Sequence, residues 1–132
     1  MIYYQCRKSQ IKNKSYRTVY RVALSEYVAI KSRSKRKPYV RSNFFDKDKI
    51  FFDHFWPHLK QKNKRDRLRR LSVFPCAIEL AVNSHLQPES IVNPGDKGWI
   101  LHKFAGYSRD GLKFFVHIKE NKKTGTKYLM SC

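Results

Sequence analysis

Two histidines and two lysines in the C-terminal third have the residue types needed to cut RNA without a metal. They are His102 and Lys103 in Ile100-Leu101-His102-Lys103-Phe104, and His117 and Lys119 in Phe114-Phe115-Val116-His117-Ile118-Lys119. Imidazole titrates near neutrality, so one neutral His can take the proton of a ribose 2′-hydroxyl while a protonated one supplies the departing 5′-oxygen. An adjacent ammonium stabilises charge on the phosphorane-like transition state. Phe104 or Phe115 could stack on a base. The plainer reading of these residues is a cationic, half-solvated sheet surface that simply carries polar side chains.

The elements that must position this chemistry are strands. From Leu112 to Lys119, Leu112, Phe114, Val116 and Ile118 share one face, and Lys113, Phe115, His117 and Lys119 share the other. Asp110-Gly111 and Thr124-Gly125 carry hairpin chemistry, and residues 98–132 read as a three-stranded antiparallel meander. With an even-length first loop, His102 faces His117 and Phe104 faces Phe115, which gathers His102, His117 and Lys119 on one surface. An odd-length loop puts His102 on the opposite face.

Upstream, residues 43–84 read as helical. Phe51, Phe52, Phe55, Trp56 and Leu59 form a stripe, Asp46 and Asp48 suit a helix N-terminus, and Pro57 should kink or divide the helix. Arg65 to Ser72 reads as a basic helix with Leu68 and Leu71 inward and Arg67, Arg69 and Arg70 outward, a face able to track phosphates. Phe74 to Val82 continues or restarts it, with Pro75 fit for a first helical position and Asn83 and Ser84 ending it. Residues 85–97, with Pro88, Pro94 and Gly95, read as a loop. Residues 1–42 form a basic N-terminal segment in which Tyr16 to Val28 fits both helix and strand templates, helix being favoured. Two basic stretches flank it, Arg7 to Lys14 and Lys31 to Arg41, the second including Lys35 and Arg36.

The 132 residues hold 29 Lys and Arg against 10 Asp and Glu, a formal charge of +19, with 41% hydrophobic and 14% aromatic residues. This composition supports one domain with a modest core, residues 1–132. The charge calls for a polyanion, nucleic acid first, through Coulomb attraction and counterion release. No apolar run approaches the roughly 18 residues of a membrane span, and the N-terminus has no signal-peptide core, so a cytoplasmic protein without a membrane partner is expected. Three cysteines, Cys6, Cys76 and Cys132, without CxxC spacing suggest reduced thiols rather than a disulfide scaffold or zinc site. His54 and His58 have an i, i+4 spacing that could ligate metal, but Pro57 intervenes and no paired carboxylate motif is evident. No Gly-rich phosphate loop, GxSxG or HExxH occurs, and no cofactor is expected.

Phe74-Pro75-Cys76-Ala77-Ile78-Glu79-Leu80 is followed by Ile100-Leu101-His102-Lys103-Phe104-Ala105-Gly106. After these come Phe114-Phe115-Val116-His117-Ile118-Lys119-Glu120 and Lys122-Lys123-Thr124-Gly125-Thr126-Lys127-Tyr128-Leu129-Met130-Ser131. In this order the motifs resemble phage-barnase-like ribonuclease domains of the barnase, EndoU, colicin and RelE-like (BECR) grouping, over roughly residues 64–132. The resemblance implies an α+β ribonuclease with N-terminal helices packed on a C-terminal antiparallel sheet. It also implies a toxin setting, with tRNA or mRNA as substrate and an acidic antitoxin or immunity protein as partner. It carries over His102, Lys103, His117 and Lys119 as catalytic positions. The expectation is therefore an endoribonuclease, with Lys35, Arg36, Arg67, Arg69, Arg70, Arg109 and Phe115 contacting RNA. The rival expectation is a basic nucleic-acid-binding protein without catalysis.

Overall fold

The computed structural model describes residues 2–12 and 15–132. Along the chain lie β1 (Tyr3–Gln5), α1 (Tyr16–Ser32), β2 (Tyr39–Ser42), β3 (Asp48–Phe51), α2 (Phe55–Lys60), α3 (Lys64–Ser72) and α4 (Phe74–Asn83). They are followed by β4 (Glu89–Val92), β5 (Trp99–Tyr107), β6 (Lys113–Asn121) and β7 (Lys127–Ser131). The strands join in one sheet of order β1-β5-β6-β7-β3-β2, with β4 also paired to β5. β5, β6 and β7 are antiparallel neighbours, whereas β1 runs parallel to β5 and β3 parallel to β7.

This overturns the expected layout of N-terminal helices on a C-terminal antiparallel meander. The three C-terminal strands are only the middle of a mixed, seven-stranded α/β sheet, because the segment read as helical contributes β3, the segment read as a loop contributes β4, and the basic N-terminal segment contributes β1 and β2. The aromatic stripe from Phe51 is one such misreading. Asp46 and Lys47 take positive φ of 56° and 71° in the connection between β2 and β3, so Asp48 to Phe51 is extended. Phe51 and Phe52 then point to opposite sides, Phe52 into the core. Pro57 does not divide α2, which begins at Phe55. Its missing N–H falls in the first turn, where backbone donors have no intrahelical acceptor. The proline-rich segment 85–97 hides β4, whose four residues are all exposed. The helical reading of Tyr16 to Val28 corresponds to α1, which runs on to Ser32, and of the first basic stretch Asn13 and Lys14 lie outside the described residues.

The core lies between one face of the sheet and the helices. Phe104, Phe114, Val116, Ile118, Leu129 and Ile50 are buried on that inner face, and α4 is buried along almost its whole length from Phe74 to Ala81. A helix that is apolar on nearly every side can only sit inside. Glu79 of α4 fastens the N-terminal strand to this layer, accepting from the Tyr4 hydroxyl at 2.9 Å and from the backbone N–H groups of Arg7 and Lys8 at 2.8 and 2.9 Å. Paired this completely, the carboxylate can be buried without an unmet acceptor. The opposite, outer face presents aromatic and basic side chains, among them Tyr39, Phe51, Lys103, Phe115 and Lys119, that are partly exposed.

Gly106 marks the closest approach of α4 to β5. A Cβ there would stand 2.8 Å from Leu80 Cδ1, 3.0 Å from Phe114 and 3.1 Å from the Tyr4 carbonyl. Gly106→Ala is expected to cost about 1–3 kcal/mol by overpacking, measured as a lower midpoint in urea denaturation. An unchanged midpoint would mean that α4 and β1 sit less tightly on the sheet than this geometry requires.

Candidate active site

The turn between β5 and β6 decides which side chains meet. It spans five residues, Ser108 to Leu112, and closes through Ser108 Oγ, which donates to Asp110 Oδ1 at 2.5 Å and accepts from the Leu112 N–H at 2.9 Å, with Gly111 at φ 90°. Tyr107 therefore pairs with Lys113, His102 with Ile118 and Lys103 with His117. Since the loop is odd, the expected pairing of His102 with His117 does not form, and the two imidazoles point to opposite faces.

His102 lies on the inner face, 8% exposed, with both ring nitrogens engaged. Nε2 donates to Glu120 Oε1 at 2.8 Å, Nδ1 is hydrogen-bonded to Ser90 Oγ at 2.6 Å, and the ring packs against Phe45. Glu120 also stands 3.9 Å from the buried ammonium of Lys127, which is paired with Asp48 at 2.8 Å. This network ties β4, β5, β6, β7 and β3 together, and His102 acts within it as a structural side chain rather than as a partner of His117.

His117 faces outward beside Lys103, and a β-bulge sets its floor. Ile118 pairs with Leu129 but His117 pairs with Ser131, so Met130 is an extra residue in β7. The shift brings the Ser131 hydroxyl to 3.1 Å from His117 Nδ1, a re-aiming of side chains that bulges commonly perform. Beside His117 lies a cleft of about 300 Å³ lined by Arg69, Arg70, Lys113, Phe115, His117 and Cys132. Arg70 is held there by Asp66 at 3.3 Å and the Cys132 carbonyl at 3.5 Å. In return the Cys132 thiol donates to the Arg70 carbonyl at 3.4 Å.

A second imidazole, His58 of α2, acts on His117 through its charge. Burial holds the His117 pKa below the usual imidazole value, and the charges of Lys103, Arg70 and His58 lower it further. The His58 pKa is also lowered, by burial first and then by Lys62 and Arg70. Arg70 thus bears on both rings. His58 was visible in the sequence only as half of an unconvincing metal pair. Its partner in that pair, His54, instead packs edge-on against Tyr128 at 4.6 Å, and among the described residues no three His, Cys, Asp or Glu side chains converge as a metal site.

The other expected site residues divide by position. Lys103 Nζ lies over the Phe115 ring at 4.3 Å, and Lys113 lies over the same ring at 5.5 Å. Lys119 sits two residues along the outer face from His117, over Trp99 at 4.2 Å. Arg69 is exposed and paired with Asp66 at 2.6 Å. Arg67 turns away and packs on Tyr16 of α1 at 5.6 Å, so it does not join the outward basic face expected of it. Lys35 and Arg36 line a separate groove with Tyr39 and Phe51. Arg109 is exposed in the β5–β6 turn, its backbone N–H donating to the Lys8 carbonyl at 2.9 Å.

Comparison of the chain with protein-family models, curated proteins and solved structures found no match.

The electrostatic arrangement has a direct readout. Both imidazoles bind protons less readily in the folded chain than in the unfolded one, so their contribution to stability is present above the ordinary value of 6.5 and is lost as pH falls through the window just below it. An NMR titration of the His117 ring protons is expected to give an apparent pKa under 6.5, moved upward in Lys103→Met. A value at or above 6.5 in the wild type would show that the cations do not act on this ring.

Proposed function

We propose that the chain is a metal-independent endoribonuclease acting at the cleft between β6 and α3. The observation that carries this reading is that His117, hydrogen-bonded to Ser131 at 3.1 Å, lines a cleft with Arg69, Arg70 and Lys113, while the charges of Arg70 and His58 bear on its ring. Two titratable bases sharing a fixed guanidinium meet the needs of phosphodiester transesterification.

The roles follow from the charges. His117 faces Lys103, Arg70 and His58 together, so it is the ring held neutral and serves as the base. It takes the proton of a ribose 2′-hydroxyl as the 2′-oxygen forms its bond to phosphorus. Ser131, hydrogen-bonded to Nδ1, fixes the ring so that Nε2 is the nitrogen offered to substrate. Protonated His58 gives its proton to the 5′-oxygen as the phosphorus–oxygen bond breaks. The products are a 2′,3′-cyclic phosphate and a 5′-hydroxyl, and protons and electron pairs balance with no further reactant. Arg70 and Lys103 stabilise the negative charge that grows on the non-bridging oxygens, and Phe115 offers a ring for an adjacent base. The net charge of +19 draws RNA to this face. It would equally draw an acidic inhibitory protein.

Purified wild type, His117→Ala and His58→Ala are incubated with total RNA and tRNA in EDTA, and the new ends are identified. Wild type is expected to leave 2′,3′-cyclic phosphates, with each single variant slower by about 10²-fold or more. Because both imidazole pKa values are lowered, the product of neutral base and protonated acid peaks on the acid side, and the rate optimum is expected below pH 6.5. Ends bearing a 3′-hydroxyl, or full activity in His117→Ala, would refute the proposal. Tight RNA binding by all three proteins without cutting would identify a binding module instead.

A further inference from the structure

Four aromatic rings run in a line across the outer sheet face. Tyr39 of β2 meets Phe51 of β3 at 6.2 Å, Phe51 meets Tyr128 of β7 at 6.1 Å, and Tyr128 meets Trp99 of β5 at 6.1 Å. All four are partly exposed rather than buried, although the same chain has ample use for aromatics in its core. The register explains the alignment. Tyr39 pairs with Phe51, Phe51 with Tyr128, and Tyr128 with Lys119, so they occupy successive positions of one row on one face.

Cations stand over both end rings of the row. Lys49 lies over Tyr39 at 4.6 Å and Arg41 over the same ring at 5.5 Å, while Lys119 covers Trp99 at 4.2 Å. At its β2 end the row opens into a groove of about 670 Å³ to which the loop Lys35-Arg36-Lys37 contributes three more positive side chains. At the other end, Lys119 is two residues from His117 on the same face of β6. Spacing of about 4.8 Å between strands makes the three steps from β2 to β6 a path of about 14 Å.

We infer that this row is a track for single-stranded RNA, leading from the Lys35–Lys37 loop to the His117 cleft and restricting the substrate to unpaired RNA. The inference rests on the ribonuclease reading for its substrate. Partly exposed rings flanked by cations provide stacking for bases and neutralisation for phosphates, the two terms that bind single strands without reading sequence. A duplex hides its base faces within its own stack and can use only the cations. It therefore loses the contribution of Tyr39, Phe51, Tyr128 and Trp99.

The test uses 2′-O-methyl RNA of about 12 nucleotides, within the range that such surfaces cover. Lacking the free 2′-hydroxyl, it binds without being cut, so binding is measured whether or not the chain is a nuclease. Fluorescence anisotropy is expected to show the wild type binding the single strand at least about tenfold more tightly than the same sequence in a duplex. Phe51→Leu and Tyr39→Leu should each remove most of that preference, and His117→Ala should keep it. Lys49→Ala, an exposed substitution with little effect on folding, should weaken both forms alike and lower the salt slope by about one. Equal affinity for single strand and duplex would overturn the track. So would an unchanged preference in both leucine variants, with circular dichroism confirming that they fold. Loss of cutting in His117→Ala with the preference intact supports track and cleft together, whereas a preference without cutting in the wild type refutes the nuclease reading alone.

Discussion

One extra residue in β7 determines what the outer face can do. Without the bulge at Met130, Ser131 would lie out of phase with His117, and its hydroxyl would not meet the imidazole. Arg70 and Cys132 close the neighbouring corner, the side chain of each donating to the backbone oxygen of the other. The contact of His117 with Ser131 thus follows from a single irregularity in an otherwise regular antiparallel pair. The five-residue turn at the far end of β6 supplies the complementary constraint by fixing Lys103 opposite His117.

Residue types were legible in the sequence more readily than their partners were. The alternation through β6 correctly separated Phe114, Val116 and Ile118 from Phe115, His117 and Lys119, because period-two patterning fixes faces without any knowledge of register. Pairing across the turn depended on whether Ser108-Arg109-Asp110-Gly111-Leu112 closes as an even or odd loop, which the side-chain hydrogen bonds of Ser108 decide and composition does not. His58 was obscured for another reason. Its electrostatic influence on His117 is a long-range consequence of where α2 docks, and no local spacing encodes it. Phe51-Phe52 shows the same limit on a smaller scale, since two adjacent aromatics suit a helical stripe and a strand with one ring on each side equally well.

The two faces of the sheet handle charge differently. On the inner face, the buried His102 and Lys127 are satisfied by Ser90, Glu120 and Asp48, as buried polar groups must be. On the outer face, basic side chains lie over rings and remain available to an anion. A chain with a net charge of +19 pays for this in self-repulsion, which a bound polyanion would relieve. The mixed topology makes the division possible: α4 and its neighbours need only one face for the core, so β2, β3 and β7 can present Tyr39, Phe51 and Tyr128 in line with Lys119.

The central claim is that His58 and His117 serve one phosphate together, and single-turnover cleavage by a double-mutant cycle tests it most directly. Rates are measured for wild type, His58→Ala, His117→Ala and the double variant on one labelled RNA, with folding verified for each. Groups that act as a unit are strongly non-additive, so the double variant is predicted to be scarcely slower than the slower single variant. Wild-type rates in His58→Ala, or losses that multiply in the double variant, would show that the two imidazoles do not work as a pair.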